Sequence, residues 1–159
     1  MTKIEVLIVL LVLGVMGALS AVAVSTARER TRDATRLSHV RELQNALESY
    51  FSDHSAYPAA DEATALGQGA TQCLSDDGFD CSIAPDGAYL EIVPTPPTKG
   101  LKGAVSCGDT SDVYCYESDG DQYRIQFELE GKNNVLGLVK GANCATESNL
   151  VPGACGTLE

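Results

Sequence analysis

Glu5 stands at the mouth of an uncharged run, the most demanding placement of a charge in this sequence. From Val6 to Val24 come 19 consecutive residues without a charge, and Ser20 is the only polar side chain among them. A carboxylate pushed into apolar surroundings costs several kcal/mol unless a cation meets it. The chemistry implied is ion pairing in a dry environment, with a terminal amine as the partner. Lys3 is a weaker partner, since its flexible stem can reach a membrane interface instead. Cysteine carries the covalent alternative. The six cysteines show no C-x2-C, and their spacings of eight and eleven do not suit zinc, so disulfides are expected. Sequence-local pairing, Cys73–Cys81, Cys107–Cys115 and Cys144–Cys155, is expected because each pair brackets turn-rich sequence or a hairpin.

Catalysis finds little support. There is no G-x-S-x-G, H-E-x-x-H, P-loop or G-x-G-x-x-G, and His39 and His54 are isolated from ligand-type partners. The carboxylates at Asp76-Asp77-Asp80, Asp109–Asp112 and Asp119–Asp121 do not follow EF-hand spacing and suit an acidic surface rich in turns. No enzymatic activity, metal or cofactor is expected on these grounds. Charge divides the chain. Residues 1–58 hold six Lys/Arg and six Asp/Glu, whereas residues 59–159 hold five and sixteen. An acidic C-terminal part is a poor binder of phosphate backbones, so no nucleic acid is expected on it.

Helical periodicity organises the first third. At 1.5 Å per residue the uncharged run covers about 28 Å, close to the hydrocarbon thickness of a bilayer. From Ser25 to His54 the pattern turns amphipathic, with Leu37, Val40, Leu43, Leu47, Tyr50 and Phe51 at steps of three and four. No proline or glycine interrupts the chain between Gly17 and Pro58. One continuous helix of about 80 Å is expected. Its apolar positions are too few for a coiled-coil stalk. Residues 1–24 are thus expected as a transmembrane segment or a core packed against other stems, and residues 25–54 as a half that packs on a head. Arg28, Arg32 and Arg36 share one ridge at i, i+4 and i+8; they are either a solvated face or partners for the acidic head of an adjacent subunit.

Thr2, Ile4, Glu5, Leu7, Ile8 and Val9, followed by the aliphatic run with Gly14, resemble the mature N-terminus of type IV pilins and type II secretion pseudopilins. The resemblance implies prior cleavage by a prepilin peptidase and N-methylation of the first residue. It also implies that Glu5 neutralises the Met1 amine of a neighbouring copy during assembly. The alternative for Glu5 is to complement the positive end of its own helix, worth about 0.3–1 kcal/mol. Two departures stand out: Met1 occupies the place of the family's usual phenylalanine, and Val22 that of its usual proline. Gly14 and Gly17 then mark the stretch where the stem would melt inside a filament, each costing about 1 kcal/mol against alanine. A basic leader removed on processing also reconciles two signals. Arg28 to Arg41 beyond the run would place the C-terminal part in the cytoplasm by the positive-inside rule, whereas the cysteines place it in an oxidising compartment. Tyr57-Pro58 after the stem and the 144–155 cysteine loop resemble pilin-like families too, and major pseudopilins imply a possible head calcium ion.

The remaining hundred or so residues suffice for one small head. Residues 55–103 read as a connecting region rich in Ala, Gly, Asp, Thr and Pro, with a short strand at 89–93 closed by Pro94, Pro96 and Pro97. Residues 104–159 read as an antiparallel meander and a C-terminal disulfide loop. Its strands are 113–117, 122–130 and 135–139, joined at Asp119-Gly120 and at Gly131 to Asn134. Within 122–130, Tyr123, Ile125, Phe127 and Leu129 face inward, with Arg124, Gln126 and Glu128 outward.

The expected architecture is therefore α+β, a long stem helix on a small disulfide-stapled antiparallel sheet. The function the resemblance implies is a self-polymerising filament subunit. It would sit in the cytoplasmic membrane before the assembly machinery builds it into a surface filament for adhesion, motility or DNA uptake. A type II secretion pseudopilin is the near alternative; a monomeric membrane-anchored binding module is the distant one. Non-reducing peptide mapping should return three sequence-local bridges and no free thiol; three or more free cysteines would overturn the oxidising location.

Overall fold

The computed structural model describes residues 2–81 and 83–156, apart from the side chains of Leu19 and Ala21. One helix, α1 (Lys3–His54), runs for 52 residues, about 78 Å. It closes at Ser55, whose left-handed backbone (φ 56°) turns its N–H onto the Phe51 carbonyl at 2.7 Å. Seven strands follow: β1 (Ala60–Ala65), β2 (Ser106–Cys107), β3 (Thr110–Ser111), β4 (Cys115–Ser118), β5 (Tyr123–Leu129), β6 (Gly141–Thr146) and β7 (Leu150–Pro152). Five of them form one antiparallel sheet in the order β1-β4-β5-β6-β7; β2 and β3 form a separate ribbon.

The C-terminal half of α1 supplies the second layer. Leu37, Val40, Leu43, Ala46, Leu47 and Tyr50 are buried against Tyr116, Tyr123, Ile125, Phe127 and Leu129 of the sheet. The period of 3.6 on one element meets the period of 2 on the other, so each presents one continuous apolar face. Tyr57, Leu66, Leu74 and Val93 from the connecting region close the same core.

Several expectations are corrected. The strand expected at 135–139 is a turn, in which Asn133 and Leu138 exchange backbone hydrogen bonds and Val135 is 94% exposed. The third strand of the meander is β6 instead. Buried Asn143 holds that turn, donating to the Val139 and Gly141 carbonyls and accepting the Val139 N–H. Residues 89–93 form no strand, only a single pairing of Leu90 with Leu74. The connecting region does supply an edge strand, β1, which pairs with β4 despite its Ala-Asp-Glu-Ala-Thr-Ala sequence.

The outer face of β5 is not solvated. Arg124 and Glu128 are buried: residues 102–105 and the second small cluster of Val105, Cys107, Val113 and Cys115 lie on the Glu128 side, and Arg124 lies beside the Cys144–Cys155 loop. Glu128 accepts the N–H groups of Lys102 and Ala104, each at 2.7 Å, and Arg124 donates to Glu117 at 2.9 Å. The three bridges pair Cys73 with Cys81, Cys107 with Cys115 and Cys144 with Cys155, with Cα separations of 5.5, 5.4 and 5.0 Å.

Leu47 is fully buried at the centre of the helix–sheet contact. Leu47→Ala should lower unfolding stability by about 2–5 kcal/mol in denaturant titrations of the oxidised protein, and a loss below about 1 kcal/mol would show that the helix is not the second layer of the core.

Candidate functional site

Two regions of α1 carry the functional candidates, and the sequence divides them sharply. The first is the apolar half. Ile4, Leu7, Ile8, Leu10, Leu11, Leu13, Val15 and Met16 are all exposed. No part of the most apolar window is covered by the rest of the chain. Among the described residues this is the one helix long and apolar enough to cross a membrane, which also meets the requirements of a signal sequence. An exposed apolar surface of this extent marks a contact with membrane or with other protein.

Glu5 lies in the first turn, exposed, with its Oε2 accepting the Thr2 N–H at 3.3 Å. The Glu5 N–H in turn reaches the Thr2 carbonyl at 3.1 Å. Within one chain the carboxylate therefore serves its own helix start, where the aligned peptide dipoles favour negative charge. Met1, the expected assembly partner, lies outside the described residues. Gly14 and Gly17 continue the helix with nothing within 4 Å of where a Cβ would stand. The stem surface there is open to whatever packs against it.

The second region is a charge cluster where α1 meets the near end of the sheet. Arg32 forms a bidentate pair with Glu130, Nε to Oε1 at 2.5 Å and Nη2 to Oε2 at 2.6 Å. Arg36 has no solvent exposure at all. Its Nη1 donates to Asp33 at 2.7 Å and to Glu130 at 2.8 Å; its Nη2 donates to the Lys99 carbonyl at 2.9 Å. Both Nε and Nη2 also reach the Pro97 carbonyl. Asp33 then accepts the backbone N–H groups of Glu130 and Gly131, each at 2.9 Å. Gly100 completes the enclosure in a left-handed conformation (φ 86°), where a Cβ would collide with the Glu130 carboxylate.

This corrects the expectation for the arginine ridge. Arg32 and Arg36 find their carboxylate within their own chain rather than on an adjacent subunit, and only Arg28 of the three is exposed. Glu130 was not foreseen as their partner. Its signal was present: a carboxylate closing the apolar alternation of β5, directly before a glycine.

The other polar candidates serve local structure. His54 stacks on Tyr50 with ring centroids 4.1 Å apart, and its Nδ1 lies 3.1 Å from the Tyr50 carbonyl. His39 Nδ1 lies 3.1 Å from the Tyr114 hydroxyl, and partial burial lowers its pKa. Asp119 accepts the N–H groups of Gln122 and Asp121, which hold its pKa below the usual carboxylate value. Asp112 accepts the Gly103 N–H at 3.0 Å, and Asp76 accepts the Tyr89 hydroxyl at 3.2 Å. These carboxylates organise turns. No protein-family model, curated protein sequence or solved structure matches the chain.

The hydrogen bonds from Arg32, opposed by desolvation and joined by those from Arg36, hold the Glu130 pKa below its ordinary value of 4.5. A depressed carboxylate pKa means that the unfolded chain binds the proton more tightly, so the stabilisation is complete above the ordinary value and disappears as pH falls through the lowered one. Glu130→Gln should therefore melt at a lower temperature than wild type at neutral pH, with the gap closing below about pH 4.5. A gap independent of pH would mean that the ionised pair contributes nothing.

Proposed function

We propose that the chain is a structural subunit of a type IV pilus-like filament, polymerising through the apolar half of α1 at the cell surface. The observation that carries this reading is the division of one unbroken helix. Its second half is sealed against the sheet, and its first half offers an apolar surface the chain itself never covers. Membrane lipid satisfies that surface before assembly, and the stems of identical copies satisfy it afterwards. The three bridges support a head exposed to an oxidising compartment. Prepilin-type processing and the inner-membrane assembly machinery belong to the same proposal.

In this reading Glu5 exchanges its intrahelical contact with Thr2 for the Met1 amine of the preceding copy. Removing the carboxylate leaves an incoming amine buried and unpaired, at a cost of about 3–5 kcal/mol per contact. The penalty recurs at every addition, so long filaments are suppressed even by a partial effect. Glu5→Ala should insert in the membrane with all bridges intact and yield few or no surface filaments by electron microscopy of sheared fractions. Wild-type filament numbers would restrict Glu5 to its helix-start role and favour a monomeric membrane-anchored module.

A further inference from the structure

The head carries sixteen acidic residues against five basic ones, yet its cations are not scattered. Residues 92–108 and 131–146 contain no carboxylate and hold Lys99, Lys102, Lys132 and Lys140. The structure brings the lysine-bearing parts of both stretches, residues 97–104 and 131–141, to the end of the head nearest the apolar half of α1. Arg36 takes the Pro97 and Lys99 carbonyls there, Asp33 takes the Gly131 N–H, and Gly141 pairs with Leu129 at the close of β5. All four lysines are exposed, as are Arg28 and Arg30 on the adjoining helix. The carboxylates at this end are largely occupied. Glu130 and Asp33 are held by guanidinium groups, Glu128 by two backbone N–H groups and half-exposed Asp112 by the Gly103 N–H, while Glu29 beside Gly131 remains half-exposed.

The depth of this rim is fixed by the helix. The 131–135 turn and the helix together line a groove of about 590 Å³ that includes Thr26, Glu29, Arg30, Lys132 and Val135. Thr26 and Arg30 stand roughly 3 and 9 Å beyond Val24 along the axis. The polar headgroup region extends roughly 5–8 Å on each side of the hydrocarbon. The turn therefore lies at headgroup depth when the uncharged run spans a bilayer. Val135 at its tip is 94% exposed, an aliphatic side chain flanked in the sequence by Lys132 and Lys140.

The geometry points to a second membrane contact: the basal rim of the head, formed by Arg28, Arg30, Lys132 and Lys140 around the Val135 tip, docks on anionic lipid headgroups. The inference rests on the stem spanning the membrane before assembly. Its occupant is a negatively charged lipid surface because cations and an apolar tip at headgroup depth match what an interface offers. The contact orients the acidic remainder of the head away from the membrane and holds the subunit upright.

The chain contains no tryptophan, so one introduced indole reports alone. The full chain carrying Val135→Trp would be placed in lipid nanodiscs of phosphatidylcholine, or of phosphatidylcholine with phosphatidylglycerol. Expected in the anionic discs are a blue shift and loss of emission to a shallow nitroxide lipid, both absent in neutral discs and both reversed by high salt. Adding Lys132→Glu and Lys140→Glu should abolish the response while the protein stays in the disc. A separate Leu10→Trp variant, read with a deep nitroxide, tests the stem. Deep quenching at Leu10→Trp with a water-like indole at Val135→Trp in both discs would overturn the rim and leave the stem standing. Absence of deep quenching would overturn both. Protection at Val135→Trp that appears only with several chains per disc, whatever the lipid, would assign the rim to another copy and overturn the lipid contact.

Discussion

Burying a guanidinium completely is tolerable only if each of its N–H groups is answered, and Arg36 meets that condition. Asp33, Glu130 and the carbonyls of Pro97 and Lys99 together take its five donors, with Arg32 neutralising the far side of Glu130. Three pieces of chain distant in sequence must be in place at once for this to happen: the helix, the end of β5 and the Pro96–Leu101 segment. Such a requirement is directional in a way that apolar packing is not. It fixes where along the helix the sheet sits, and so how much of α1 is left uncovered. The length of exposed stem is thus set by a polar cluster.

The sheet itself is covered on both faces, which explains how a small head can support a helix of this length. One face packs on α1; the other carries Val105, Cys107, Val113 and Cys115, with the Cys107–Cys115 bridge inside that layer. Two of the three bridges lie on this outer side, one joining β2 to β4 and the other β6 to the C-terminal loop, so covalent links stand where apolar area is scarce. Asp112 and Asp119 stand in turns, where they accept backbone N–H groups that no strand satisfies.

What was legible in the sequence follows from periodicity, and what was not follows from its absence. The helix, its buried stripe from Leu37 to Tyr50 and the inward set of β5 each repeat with the spacing of their element. β1 and β6 read Ala-Asp-Glu-Ala-Thr-Ala and Gly-Ala-Asn-Cys-Ala-Thr, with few side chains that favour strands, and both exist because β4 and β5 present open ladders to pair with. Val135 to Val139 has the apolar content of a strand but lies where the chain must turn, with Gly137 and Gly141 both at positive φ. The outward alternation of Arg124 and Glu128 was a correct statement about faces and a wrong one about solvent. Nothing local announces that residues 102–105 fold across that face.

The contacts between α1 and the head also have a mechanical meaning. They are strung along the helix rather than gathered at one end: Glu130 on Arg36, Tyr114 by His39, the Thr146 carbonyl on Gln44 and the Tyr57 hydroxyl on Glu48. A force drawn down the stem meets these links side by side, in shear, so they share the load rather than parting one after another. A force that lifts the head away from the helix meets them in sequence. The molecule is accordingly a strong link under tension along its axis and a weak one under peeling.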